Sequence, residues 1–176
     1  MNRQRFSCSL DKFSKLITVY LAVFGLALIL IPGFFAGDEF PERQWVIRSI
    51  GILIILLEFV FYLLSPTEYL LSAEGLLIER RWKPKLIPFD EIIIVRGPAE
   101  KELKWTVRTF GNGGLFGYTG RYYGKHIGSM IWYCTRKDKQ VIIERKFKLP
   151  LVISPDEPAK LIWAWGELKR PEAVNV

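Results

Sequence analysis

The sequence predicts a transmembrane helical hairpin followed by a small antiparallel β barrel or sandwich capped by a C-terminal α-helix. Three observations carry this. Half of the 176 residues are apolar although the formal net charge is +7, a combination that arises when apolar residues and charge gather in different regions. Two long runs almost free of charge stand near the N-terminus. Beyond residue 65 the texture changes to short apolar runs separated by turn residues, at the roughly 8–12-residue spacing of small antiparallel domains. The 14% aromatic content excludes disorder as the overall class. Two Cys and one His disfavour a disulfide scaffold or a metal cluster, and no metal or other cofactor is expected.

The first span covers residues 16–36, 21 positions without a charge, close to the roughly 20 that a helix needs to cross a bilayer. The second covers residues 45–64 and holds only Arg48 near one end and Glu58 inside. Residues 37–44 carry Asp38, Glu39, Glu42 and Arg43, so the two spans form a tight hairpin, residues 16–64. Two buried core helices of a soluble protein are the bland alternative, and a core helix of that length without charge is rare. A cleaved signal peptide is the rival reading of the first span. Its apolar run is long for that purpose, and Phe34 is bulky where a small residue is wanted.

Lys and Arg near the span ends set the orientation. Arg3, Arg5, Lys12 and Lys15 lie before the first span, and Arg80, Arg81, Lys83 and Lys85 follow the second. Both termini are therefore expected in the cytoplasm, with residues 1–15 a tail and the acidic loop outside. Glu58, about 9 Å of helix from the inner end, is the one acidic group in a span. It is placed to snorkel, to be protonated, or to bond Thr18 or Tyr20. A structural hydrogen bond is the expected role, because proton transport needs more than one such group.

Ser65-Pro66 ends the second span, and residues 65–176 form the second unit. Residues 68–72 and 76–82 flank Ala73-Glu74-Gly75, a hairpin turn with Gly where positive φ is wanted. Residues 85–89 and 92–96 precede the break at Gly97-Pro98. Residues 103–110 alternate, with Leu103, Trp105 and Val107 on one face. Residues 129–136 and 140–146 read as a further hairpin, and 149–153 as a last strand. Ser154 is an expected N-cap with Pro155 at the first helical position. Leu161, Ile162, Trp165 and Leu168 give the final helix one apolar face.

About seven strands closed by one amphipathic helix describe a pleckstrin-homology-like (PH-like) barrel, an order that other small β barrels ending in a helix share. The order of two N-terminal spans, then residues 68–79, then Lys85-Leu86-Ile87-Pro88-Phe89-Asp90-Glu91-Ile92 resembles the bacterial PH-like domain families of small membrane proteins. So does the segment from Arg108 to Tyr123, and so does Ile153-Ser154-Pro155-Asp156-Glu157-Pro158. The resemblance covers about residues 65–170. It implies a PH-like fold, no enzymatic activity, and a place in the bacterial cytoplasmic membrane. It supplies no ligand and no functional residues.

Seven glycines fall between Gly111 and Gly128, interleaved with Phe110, Phe116, Tyr118, Tyr122 and Tyr123 and accompanied by Arg108, Arg121, Lys125 and His126. Neither nucleotide-binding fingerprint is present. Two readings stay open. One is a long ordered loop whose aromatics pack on the domain or meet the membrane interface. The other is a surface for a partner peptide or a lipid headgroup, with Arg108, Gly111, Gly113, Gly114, Phe116, Arg121, Tyr122 and Lys125 as the binding candidates.

From Ser65 onward, 19 Lys/Arg stand against 13 Asp/Glu. An anionic inner leaflet, attracting each basic group by about 1 kcal/mol, is a sufficient reason for that charge. Nucleic acid is not expected as a partner of a membrane-tethered chain. The expected function is a non-catalytic module that binds a membrane-protein partner or a second copy of itself, or that scaffolds, with weak help from inner-leaflet lipid. The alternative is specific binding of an anionic headgroup or small ligand through the Gly-rich segment. His126 is the only histidine and no nucleophile motif accompanies it, so no catalytic residue is assigned. Cys8 and Cys134 are expected as free thiols.

Overall fold

The computed structural model describes residues 3–36 and 41–170. Asp38 and Glu39 of the expected acidic loop lie outside the described residues. Helix α1 runs Lys12–Leu30, α2 Pro32–Ala36 and α3 Pro41–Leu64. Helix α1 begins before the charge-free run because Asp11 caps it, its carboxylate accepting from the Ser14 N–H at 2.7 Å. Helix α3 takes in residues 41–44 of the expected loop, with Pro at its first position, where a fixed φ suits the helix.

Both α1 and α3 are long and apolar enough to cross a membrane. They pack against each other at Gly25 and Gly51, where a Cβ on Gly51 would lie 2.7 Å from the Gly25 carbonyl oxygen. The outward faces leave Leu16, Val19, Val23 and Leu26 of α1 and Leu53, Leu56 and Val60 of α3 exposed. Glu58 is buried, yet its Oε1 has no hydrogen-bond partner among the described residues. The bond expected from Thr18 or Tyr20 is not formed. Thr18 Oγ1 instead accepts from the Phe116 N–H at 3.1 Å.

The described residues contain ten strands. They are β1 (Gln4–Ser7), β2 (Pro66–Ser72), β3 (Gly75–Arg80), β4 (Lys85–Pro88), β5 (Ile92–Arg96), β6 (Thr106–Gly114), β7 (Gly117–Gly124), β8 (Gly128–Cys134), β9 (Val141–Arg145) and β10 (Lys148–Ile153). They form two sheets that are not closed into a barrel, so the domain is a PH-like sandwich. The first sheet has the order β1-β2-β3-β4 and the second β5-β9-β10-β8-β7-β6. All pairs are antiparallel except β8 with β10. Helix α4 (Pro158–Lys169) closes one side, with the Trp165 and Phe89 rings 4.5 Å apart.

Strand β10 serves two cores by alternation. Leu151 and Ile153 join Tyr69, Ile78, Val141, Ile143 and Leu161 between the sheets and α4. Val152 joins Tyr118, Tyr122, Met130, Trp132 and Ile142 on the other face of the larger sheet. Each fully buried aliphatic side chain contributes about 1.5–3 kcal/mol.

Four features of the strand domain also differ from expectation. Residues 4–7, read above as tail, form an edge strand whose Phe6 enters the first core, with Arg5 paired to Leu70. Strands β8 and β9 are not a hairpin, because β10 inserts between them. The alternation of residues 103–105 belongs to turns, and the strand starts at Thr106. Ser154 does not cap the helix. Its buried hydroxyl accepts from the Thr135 N–H at 2.7 Å, and α4 starts at Pro158.

Candidate functional site

The Gly-rich segment is not a loop. It is the hairpin β6–β7, joined by a two-residue turn at Leu115-Phe116. Asn112 builds that turn. Its amide nitrogen donates to the carbonyls of Leu115 and Gly117, and its oxygen accepts from the Leu115 N–H at 3.0 Å. The hydroxyl of Tyr122 donates to the Asn112 carbonyl at 2.6 Å.

Two of the glycines show why that residue type is needed. Gly111 and Gly120 face each other across the hairpin with φ of 111° and 129°. A Cβ on Gly120 would stand 2.3 Å from the Phe110 carbonyl oxygen. Side chains at either position would force the strands apart.

The tip of this hairpin holds both long helices. The Phe116 N–H donates to Thr18 Oγ1 of α1. The Phe116 carbonyl accepts from Ser65 Oγ at 2.5 Å, just after α3. The Phe116 ring meets Tyr62 of α3 edge-on at 5.2 Å. Phe116 therefore stands at φ 50° with its N–H, its carbonyl and its ring all engaged.

A second set of bonds secures the start of α1. The Tyr118 hydroxyl donates to Asp11 Oδ2 at 2.9 Å, and the Asp11 N–H to the Thr135 carbonyl. Ser9 Oγ donates to Asp156 Oδ1 at 2.6 Å, an atom that also accepts from Arg136 at 3.2 Å. Burial raises the pKa of Asp156, but Ser9, Ser7 and Arg136 outweigh it and hold the carboxyl below its ordinary value.

The sequence candidates thus divide. Tyr122 is buried and stacked on Trp132 at 4.3 Å, a core residue. Gly111, Gly113, Gly114 and Phe116 serve the hairpin and its grip on the helices. A Cβ on Gly114 would meet Phe13 of α1 at 3.1 Å. A Cβ on Gly113 would meet the Arg108 guanidinium at 2.9 Å. Arg108, Arg121 and Lys125 are exposed, and none has a carboxylate partner among the described residues. Sequence reasoning missed Asn112, Ser65 and Asp156. Asn amid glycines was the available signal for the first, because Asn side chains fold back on neighbouring backbone.

A cleft of about 420 Å³ opens where α3 meets the larger sheet. Phe61 and Leu64 from the last turn of α3, Phe110 and Thr119 from the hairpin, Tyr133 from β8 and Arg80 from β3 line it. The Arg80 guanidinium lies 5.5 Å from the Tyr133 ring and donates from Nε to the Lys83 carbonyl at 2.8 Å. Arg81 lies over Tyr62 at 4.1 Å.

Cys8 and Cys134 are free thiols. Burial pushes Cys8 up to about 12 and Cys134 higher still, so neither is an activated nucleophile. Among the described residues no group of three or more His, Cys, Asp or Glu side chains is disposed to hold a metal.

Residues 67–166 match the family model described as bacterial PH domain. No curated protein and no solved structure matches the chain.

Proposed function

The chain belongs to the bacterial PH domain family, and from that premise we propose that it is a non-catalytic membrane-anchored module. It works at the cytoplasmic face by holding a membrane-protein partner or a second copy of itself. The observation that carries this is the junction between hairpin and domain. Two helices with apolar outward faces emerge from one end of the sandwich, and Phe116, Asp11 and the β1–β2 pairing fasten both of them at that end. Because β1 pairs with β2, the segments before α1 and after α3 lie together, which supports an anchor that crosses the bilayer twice. The Lys and Arg near those segments favour the cytoplasmic side.

A domain fastened in this way presents a fixed face to neighbours in the membrane plane. Exposed Val107, Phe110 and Tyr123 on the hairpin, with Trp105 in the turn just before it, offer the apolar part of a contact. The rival reading, specific binding of an anionic headgroup or small ligand by the glycines of the Gly-rich segment, has less support, since those glycines are turned to the neighbouring strand and to α1.

The test is topology and capture. Reporter fusions at the C-terminus and within residues 37–44 are expected to report cytoplasm and exterior respectively. A C-terminus on the outer side would sink the reading. Photocrosslinkers at positions 107 and 123 are expected to trap a discrete membrane-protein adduct or a dimer in native membranes. A full-length chain yielding no adduct at either position would remove the interaction surface.

A further inference from the structure

We propose that the cleft between the end of α3 and the β6–β8 face binds one anionic phospholipid of the surrounding leaflet. The inference rests on the membrane-anchored reading and adds a ligand to it.

Its position selects the ligand. The lower wall is Phe61 and Leu64, the last turn of an apolar helix, and this is the depth at which a bilayer changes from acyl chain to headgroup. Whatever fills the cleft from the membrane side is a lipid that already lies against α3. The upper wall is Phe110, Thr119 and Tyr133, so the walls suit the upper part of an acyl chain and a glycerol backbone. At about 420 Å³ the volume falls within the range of small-ligand sites.

Charge selects the headgroup. Arg80 lines the cleft, and its Nε donates to the Lys83 carbonyl. The guanidinium is held against Tyr133 with no carboxylate partner among the described residues. Arg121 lies two residues along β7 from Thr119, on the same face of the sheet, and is exposed and likewise without a carboxylate partner. Arg81 adds positive charge beside the last turn of α3, donating to the Tyr62 carbonyl. A guanidinium fixed on an aromatic ring at headgroup depth is a preorganised phosphate donor. The occupant is therefore a phospholipid with net negative charge, bound through its phosphate by Arg80 and Arg121.

The full-length chain, purified in detergent and passed through nanodiscs with equal phosphatidylglycerol and phosphatidylcholine, is examined by native mass spectrometry for retained lipid. The expected result is selective retention of one phosphatidylglycerol. Arg80→Gln and Arg121→Gln should each lower it about tenfold, the loss of one charged hydrogen bond. Lys125→Gln makes the same charge change in the turn at the far end of β7 and should change it less than about twofold at physiological salt. Unfolding curves of Arg121→Gln and wild type should coincide, which separates ligand loss from misfolding. Equal retention of the two lipids, or an equal loss in Lys125→Gln, overturns the site while leaving the anchor standing. A chain that stays dispersed without detergent or bilayer overturns the anchored reading and the lipid site together.

Discussion

Two sets of arginines in one domain are treated in opposite ways. Arg96, Arg136 and Arg145 are each neutralised. Arg96 bonds Glu102 and Glu144 at 2.8 and 2.9 Å, Arg136 bonds Asp138 at 2.6 Å, and Arg145 bonds Glu91 at 2.8 Å. Arg80, Arg81, Arg108 and Arg121, on the side of the cleft and the Gly-rich hairpin, have no carboxylate partner among the described residues. The first set ties loops to strands, since Arg145 also donates to the Leu149 carbonyl across the β9–β10 turn. In the second set, Arg80 and Arg81 meet only carbonyl oxygens and aromatic rings, with no counter-charge among the described residues. The positive charge of these arginines is thus sorted by place.

The comparison can be broken most forcefully on the paired side. Arg145→Met leaves Glu91 with Lys148 alone and frees the Leu149 carbonyl. Denaturant unfolding should show a loss of about 3–5 kcal/mol, as for other buried pairs broken on one side. Next in size is Gly120→Ala, which sets a Cβ against the Phe110 carbonyl at a positive φ. About 1–3 kcal/mol is expected, with weakened protection of β6 amides in hydrogen exchange. Thr18→Val removes the acceptor for the Phe116 N–H. It should lower stability by about 1 kcal/mol and loosen the domain from α1, seen as a broader spin-label distance distribution between α1 and β7.

Acid titration sharpens the contrast further. Burial raises the pKa of Glu91, but Lys148 and Arg145 outweigh it and hold the carboxyl below its ordinary 4.5. Arg96 does the same for Glu102, here as the largest influence. Carboxylates lowered in the folded state stabilise fully above their unfolded values and lose that stabilisation as pH falls through the folded ones. Stability should therefore be flat above about pH 4.5 in this respect and decline below it. Glu91→Gln should flatten part of the decline. The smallest effect belongs to the unpaired set, where Arg121→Gln should shift stability by no more than about 0.5 kcal/mol.

The helical pair, the β2–β3 hairpin and the apolar face of α4 were legible in the sequence, because each depends on local periodicity and turn chemistry. The open sandwich was legible as a class. The position of β10 between β8 and β9 was not, since strand order depends on contacts distant in sequence. Nor was β1, four residues whose single inward side chain, Phe6, gives no periodic signal. Ser154-Pro155-Asp156 has the composition of a helix start, but tertiary bonds to Thr135 and Ser9 claimed its side chains first. The Gly-rich segment suggested a loop because glycine disfavours strands. Here the close crossing of Gly111 with Gly120 and the contact with α1 outweigh that preference.

The pairing of Arg5 with Leu70 also sets an order of events during synthesis. The first strand leaves the ribosome before both long helices and cannot be placed until its partner has followed them. The helical hairpin must therefore form while its own N-terminal flank is still unpaired. Only afterwards can that flank join the sheet, so completion of the first sheet reports that both helices have been made.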